Sequence, residues 1–137
     1  MVNSISTSYI RGLCDEMGYT SKIDSDGDIQ LRLDADSDFG HDVFIFLEVS
    51  NNKWLRVFAL ADFTIEQHQV AKTLIKLNEY NKGQKLMNAY LAENGRVLVE
   101  RAELIDENVS EEFIKENCIK LCLRACWQFF KENFAEY

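Results

Sequence analysis

Three cysteines recur at every fourth position near the end of the chain, a spacing that could serve a metal or redox site. Cys118, Cys122 and Cys126 would share one side of a helix. A structural zinc ion usually takes four ligands from closely spaced Cys and His residues, whereas the remaining Cys and both His lie on distant segments. Free Cys also packs as a small hydrophobic residue. We therefore predict core packing and no metal, with a thiol switch or metal site as the alternative.

Two acidic tracts, residues 24–28 and 34–38, resemble calcium loops because Asp recurs at every second position. An EF-hand loop needs Gly at its sixth position and Glu at its twelfth. Counted from Asp24 or from Asp34, neither position carries the required residue. Solvent-exposed turns are predicted for both tracts, and weak calcium binding at one of them is the alternative.

Motifs for catalysis are missing from the sequence. It contains no G-x-S-x-G, no Gly-rich phosphate loop and no H-E-x-x-H. His41 falls in an acidic segment and His68 on the flank of a predicted helix, and nothing in the sequence brings either to a nucleophile. We expect no catalytic residues, no cofactor and no enzymatic activity.

The acidic composition restricts the partners. Across 137 residues, 23 Asp and Glu outnumber 15 Lys and Arg, for a formal net charge of −8. This charge repels phosphate groups, so we expect binding to neither nucleic acid nor anionic membranes. No long apolar run and no signal-peptide pattern is present. One domain over residues 1–137, in the cytoplasm and with reduced Cys, is the expectation.

Hydrophobic patterning predicts an α+β fold in the order α-β-β-β(-β)-α-β-β-α, with five or six strands. Helices are predicted over residues 5–17, 64–82 and 110–135. Strands are predicted at 19–24, 28–34, 43–50, 54–61, 86–92 and 96–104. Short turns join consecutive strands, so the sheet should be mostly antiparallel and covered by the helices.

Capping residues mark where each predicted helix begins. The first helix is predicted to start from Asn3 or Ser4, and the last from Ser110. Thr64 with Gln67 three residues later has the pattern of a capping box for the second helix. These signals predict the helix starts independently of the apolar pattern.

Two asparagines lie near the end of the second predicted helix. Asn81 falls between Val70 and Leu74 on the predicted inner stripe, and Asn78 sits nearby. A polar amide on a core face needs hydrogen-bond partners, which free carbonyls or the entering strand can supply. We predict a structural role for both residues, with ligand contact as the alternative.

A set of short motifs in this chain resembles the YbjN family. The second helix ends in the two spaced Asn, and a hairpin over residues 87–100 precedes a final helix rich in aromatic residues. The segment 13–19 and the Asp-Gly turn at 26–27 fit the same family, whereas residues 106–108 replace its common Gly pair. The resemblance implies a fold similar to type III secretion chaperones, which are small, acidic and often dimeric. It also implies a sensory-transduction regulator without established enzymatic activity.

The last predicted helix is apolar over about 240° of its circumference, where a one-sided helix needs about 100°. One stripe, from Ile114 to Phe129, is expected to pack on the sheet. The rest of the arc comprises Ile119, Leu123, Cys126, Trp127, Phe130 and Phe134. Because monomers rarely leave large apolar patches bare, we predict that this second group forms a protein interface. Cover by another part of the same chain is the alternative.

The leading hypothesis is a non-enzymatic, chaperone-like protein-interaction or regulatory module that acts as a homodimer. Strands that are apolar on both sides add Phe44, Phe46, Trp54 and Phe58 as a further candidate surface. The alternative hypothesis is a small-molecule- or metal-responsive sensor that uses the Cys stripe or a pocket near the last helix.

Overall fold

The computed structural model describes residues 2–83 and 86–137 as an antiparallel sheet packed against a layer of helices. The strands are β1 (Lys22–Ile23), β2 (Ile29–Leu33), β3 (Val43–Ser50), β4 (Trp54–Ala61), β5 (Asn88–Leu91) and β6 (Val97–Leu104). In the sheet they follow the order β1-β2-β3-β4-β6-β5. The α+β class and the antiparallel pairing predicted from the sequence are confirmed. Within the described residues, none of the helices is long and apolar enough to cross a membrane.

Three helices form the second layer of the fold. They are α1 (Thr7–Glu16), α2 (Val70–Gly83) and a C-terminal helix over residues 111–134. The C-terminal helix opens as an α-turn at Glu111–Phe113, widens to a π-helix at Ile114–Lys120 and continues as an α-helix over Leu121–Phe134. The three predicted helices are therefore present, with shorter bounds than predicted.

Turn residues adopt the backbone conformations that the hairpins require. Gly27 and Gly95 have φ of 85° and 83°, in the left-handed region that glycine enters without steric cost. Asn51 and Asn52, with φ of 54° and 60°, join β3 to β4, and Asn tolerates this region better than most residues. The short turns predicted between consecutive strands are thus confirmed at these three hairpins, and they set the strand register.

Two of the predicted helix starts are wrong. The hydroxyl of Ser6, rather than Asn3 or Ser4, accepts the Tyr9 N–H at 3.0 Å and caps α1. The second helix begins later than predicted, after a 3₁₀ turn at Gln67–Gln69. A capping box does precede it, but Glu66 and Gln69 make it, two residues downstream of the predicted Thr64 and Gln67.

The start of the C-terminal helix is the predicted one. The Ser110 side chain accepts the Phe113 N–H at 3.1 Å. Further along, the π-helical turn receives a hydrogen bond from the sheet, since Nη1 of Arg101 donates to the Asn117 carbonyl at 3.1 Å. This contact ties the middle of the helix to β6.

The contact stripe of α2 differs from the prediction. Thr73 and Leu77 are its buried residues, and the Tyr80 ring packs on Phe129 with centroids 4.6 Å apart. Leu74 is 51% exposed. The contact positions follow i, i+4 and i+7 spacing from Thr73, which rotates the stripe by about 60° from the predicted one, with Leu77 common to both.

The core lies between the helices and one face of the sheet. Buried and partly exposed residues alternate along β3 and β4, as expected when a single face is covered. Val43, Ile45 and Leu47 of β3 are fully buried under the helices. The other face of the sheet is apolar as well, yet its side chains stay partly exposed.

Candidate protein-binding surface

The apolar arc of the C-terminal helix was predicted to form a protein interface, and the structure contradicts this. Five of its six residues are buried in the core: Ile119, Leu123, Cys126, Phe130 and Phe134. Trp127 alone is only partly buried, against the Phe39 ring at a centroid distance of 5.7 Å. The five buried side chains are therefore not available to a partner in the folded chain.

The physical reason is that three aromatic residues outside the helices and strands cover the second side of the arc. Phe39, in the loop between β2 and β3, stacks on Phe130 with centroids 6.1 Å apart. Phe63, after β4, packs on Phe134 at 5.6 Å, and Tyr137 stacks on Phe63 at 5.0 Å. The second half of the arc is thus covered by the same chain, as in the alternative interpretation.

All four cysteines are buried, as core packing predicts. Desolvation by burial raises the pKa of Cys118 to about 12 and that of Cys14 to about 11. Burial also raises the pKa of Cys122 and of Cys126. Metal ligation and thiol chemistry both need the thiolate, so these positions disfavour a metal site or a thiol switch.

Thiol labelling checks this assignment. At pH 8, we expect iodoacetamide to modify the four cysteines of the native protein more than about a hundredfold slower than those of the unfolded chain, because burial suppresses the thiolate. Mass spectrometry of native and guanidinium-unfolded samples measures both rates. Fast native labelling of Cys122 or Cys118 would revive the thiol-switch alternative.

Asn81 has the structural role that the sequence predicts. Its Nδ2 donates to the Ala89 carbonyl at 2.8 Å, and its Oδ1 accepts the Ala89 N–H at 2.7 Å. Because β5 is an edge strand, the amide occupies the position that a neighbouring strand would take. Asn78 is exposed, and within residues 2–83 and 86–137 its side chain makes no hydrogen bond. The structural role predicted for Asn78 therefore stays a prediction.

The face of the sheet opposite the helices is an apolar surface that the described helices leave uncovered. We call it the open sheet face. Strand register places the following side chains on it: Arg32, Phe44, Phe46, Glu48, Trp54, Arg56, Phe58, Leu60, Leu98 and Glu100. Phe46 and Phe58 stack at its centre with centroids 5.0 Å apart and planes 15° from parallel. The sequence identified Phe44, Phe46, Trp54 and Phe58 as a further candidate surface, and these side chains share this face.

Arg56 organises the charges of the open sheet face. Its guanidinium lies 4.1 Å from the Phe58 ring centroid, and its Nε donates to Glu100. A weaker pair joins it to Glu48 at 3.8 Å, and Nη2 donates to the Tyr90 hydroxyl at 3.3 Å. Partial desolvation opposes the charge, but the Glu100 hydrogen bond raises the pKa of Arg56. Arg56 is therefore a fixed cation beside a stacked aromatic pair.

The first acidic tract brings three carboxylates together. Oxygens of Asp24, Asp26 and Asp28 lie within 4.8 Å of one another in the turn before β2. One Asp24 oxygen already accepts the N–H groups of Asp26 and Asp28. Burial and the charges of Glu48, Asp24 and Asp26 raise the pKa of Asp28. Calcium takes six to eight oxygen ligands, so this exposed turn does not by itself define a cation site.

A shallow groove adjoins the open sheet face at the β5–β6 side. It encloses about 610 Å³, and its polar lining includes Arg56, Asn81, Asn88, Glu100 and Arg101. Much of that lining is already paired, since Arg56 binds Glu100 and Asn81 binds Ala89. The groove could hold a small polar molecule only by competing with these contacts.

The protein therefore has two layers, with helices on one face of the sheet and aromatic side chains on the open sheet face. No family model matches its sequence, and no curated protein does. Among solved structures, it is similar to YbjN, a proposed transcription regulator from E. coli, with a TM-score of 0.67 at 15% sequence identity. The match covers 96% of this chain and 90% of that chain. The fold is YbjN-like, as the sequence motifs predict.

Proposed function

We propose that this protein is a non-enzymatic, chaperone-like regulatory module that binds protein through its open sheet face and acts as a homodimer. One observation carries the proposal: the sheet is apolar on both faces, helices cover only one of them, and the strand aromatic residues lie on the uncovered one. Rigid aromatic side chains and Arg dominate binding energy at protein interfaces. Phe46, Phe58 and Arg56 supply this combination at the centre of the face.

Charge supports a protein partner over a nucleic acid or a membrane. On the open side of the strands, the basic residues Lys22, Arg32 and Arg56 slightly outnumber the acidic Glu48 and Glu100. The chain as a whole carries −8. The face is therefore close to neutral, which suits an apolar contact. The rest of the molecule is acidic and repels polyanions. Unpaired, buried cysteines suit the reducing cytoplasm, where we place the protein.

A small-molecule or metal sensor is the second candidate, and the groove beside Arg56 is the observation that favours it. The Cys stripe no longer supports it, because burial disfavours the thiolate. Elemental analysis and native mass spectrometry of the purified protein separate the two candidates. Stoichiometric zinc or a bound small molecule would favour the sensor and count against the interaction module.

Photo-cross-linking tests the binding surface itself. We expect p-benzoylphenylalanine in place of Phe58 to form protein adducts in native cells, because its ring would sit in the contact. Ile75, which is 67% exposed on the opposite layer, provides the matched control and should give few adducts. Denaturing gels and mass spectrometry identify what is attached. Equal adduct formation at both positions, or none at Phe58, would refute the proposed surface.

A further inference from the structure

We propose that the open sheet face binds a second copy of this chain, with the two-fold axis parallel to the strands and midway between β3 and β4. This inference rests on the protein-binding role proposed above and specifies the occupant. The strands β3 and β4 are the central pair of the six-stranded order. Rotation about such an axis lays β3 of one copy over β4 of the other, so the whole sheet is covered.

The apolar layers of the face are complementary to themselves under this rotation. Phe46 is the register partner of Phe58, and Phe44 is the partner of Leu60. Phe46 of one copy would therefore lie over Phe58 of the other, and Phe58 over Phe46. The stacked phenylalanine pair of one copy would contact the same pair in the second copy. Aligned sheets pack about 10 Å apart with strands within about 30° of each other, which keeps these layers in contact.

The next layer of the face is complementary in charge. Glu48 and Arg56 are register partners, so the rotation places Glu48 of each copy over Arg56 of the other. Within one chain the pair is loose, at 3.8 Å, because Arg56 is held by Glu100. Glu48 is 37% exposed and can therefore turn toward a partner. An unrelated protein would need this alternation of charges by coincidence, whereas a second copy carries it by symmetry.

The size of the face also suits a dimer. Six strands spaced about 4.8 Å apart, with eight residues in the longest, give a face of roughly 600 Å². Stable specific interfaces bury about 600 to 1,000 Å² on each partner. The face is therefore large enough for a stable dimer only if most of it is buried. A two-fold axis through the centre of the sheet buries most of it.

Reciprocal charge reversal gives a decisive test. We expect the wild type to have twice the chain mass by light scattering and analytical ultracentrifugation. Glu48→Arg and Arg56→Glu should each weaken the dimer at least about tenfold, because like charges then face each other across the two-fold axis. An equimolar mixture of the two variants should form a heterodimer of near wild-type affinity. Differently tagged chains and native mass spectrometry identify it.

The mixture separates contact between chains from contact within one chain. In each variant, residues 48 and 56 of the same chain stay alike in charge, so an intramolecular account predicts no recovery on mixing. Circular dichroism checks that each variant folds. If Arg56→Glu unfolds the chain, Phe46→Ser replaces it and should also yield a monomer. Leu74→Lys, on the exposed side of α2, is the matched control and should leave the dimer unchanged.

Three results would overturn the inference: a wild type that is monomeric at high concentration, a dimer that the variants leave intact, or a mixture that does not recover. The cross-linking experiment keeps the proposed function separate. Adducts from position 58 to other proteins, without adducts to a second copy, would overturn the homodimer and leave the protein-binding face standing. Absence of all adducts at position 58 would count against both.

Discussion

Phe130→Asp is expected to unfold the protein and leave no folded monomer in solution. The Phe130 ring is fully buried and contacts the rings of Phe39, Phe63 and Phe129 at centroid distances of 6.1, 6.4 and 4.9 Å. Removing a buried Phe side chain costs about 3–5 kcal/mol, and burying an unpaired carboxylate adds to this. Because domains are stable by only about 5–15 kcal/mol, the loss should exceed or nearly equal the whole stability.

Circular dichroism and thermal denaturation measure this effect. The matched control is Ile75→Asp, on the exposed side of α2, where the side chain is 67% exposed and the charge stays in contact with water. That variant should keep a cooperative thermal transition. A well-folded Phe130→Asp monomer with a near wild-type melting temperature would show that this side of the C-terminal helix is not part of the core.

The order of elements could be predicted because it depends on local signals. Alternating strands, Gly or Asn at turns and the Ser110 cap each act over a few residues, and each is present in the structure. The three-residue turn after Ser50 sets the register of β3 and β4. That register alone pairs Glu48 with Arg56, so this charge layer follows from the turn length and the strand sequences.

The cover of the C-terminal helix could not be predicted in the same way. Phe39 directly follows the acidic tract 34–38, which was interpreted as a solvent-exposed turn. The tract is indeed exposed, yet the Phe39 side chain is fully buried. Asp36 accepts the N–H of Phe39 at 3.0 Å and turns the chain toward the core. Apolar periodicity assigns faces to helices and strands, but it does not locate an isolated aromatic residue in a loop.

The candidate protein-binding surface therefore lies on the sheet and not on the C-terminal helix, and it is still an apolar, aromatic surface. A helix apolar over more than half of its circumference suggested an interface, and the loops cover it. Strands that are apolar on both sides suggested a second surface, and no described helix covers that one. The excess apolar residues of the sequence thus lie on the sheet, where Phe46, Phe58 and Arg56 meet.

The second large effect is expected at Asn81. Its amide is bonded to both backbone groups of Ala89, a residue only 3% exposed. Asn81→Leu should lower the free energy of unfolding by about 1–3 kcal/mol although it adds apolar surface, because the Ala89 N–H and carbonyl lose their partners. Unpaired backbone groups on an edge strand also promote association between sheets. We therefore expect the variant to aggregate earlier on heating.

Two further variants assign the Asn81 effect to its amide geometry. Asn81→Asp keeps an oxygen that accepts the Ala89 N–H, but it places a second oxygen against the Ala89 carbonyl and should destabilise as well. Asn78→Leu lies three positions earlier on the exposed side of the same helix, and it should change stability by less than about 0.5 kcal/mol. Urea denaturation of the four proteins, with light scattering for aggregation, measures these differences. If Asn81→Leu melts at or above the wild-type temperature, the two hydrogen bonds contribute no net stability, and the open edge of β5 must be protected by something other than this side chain.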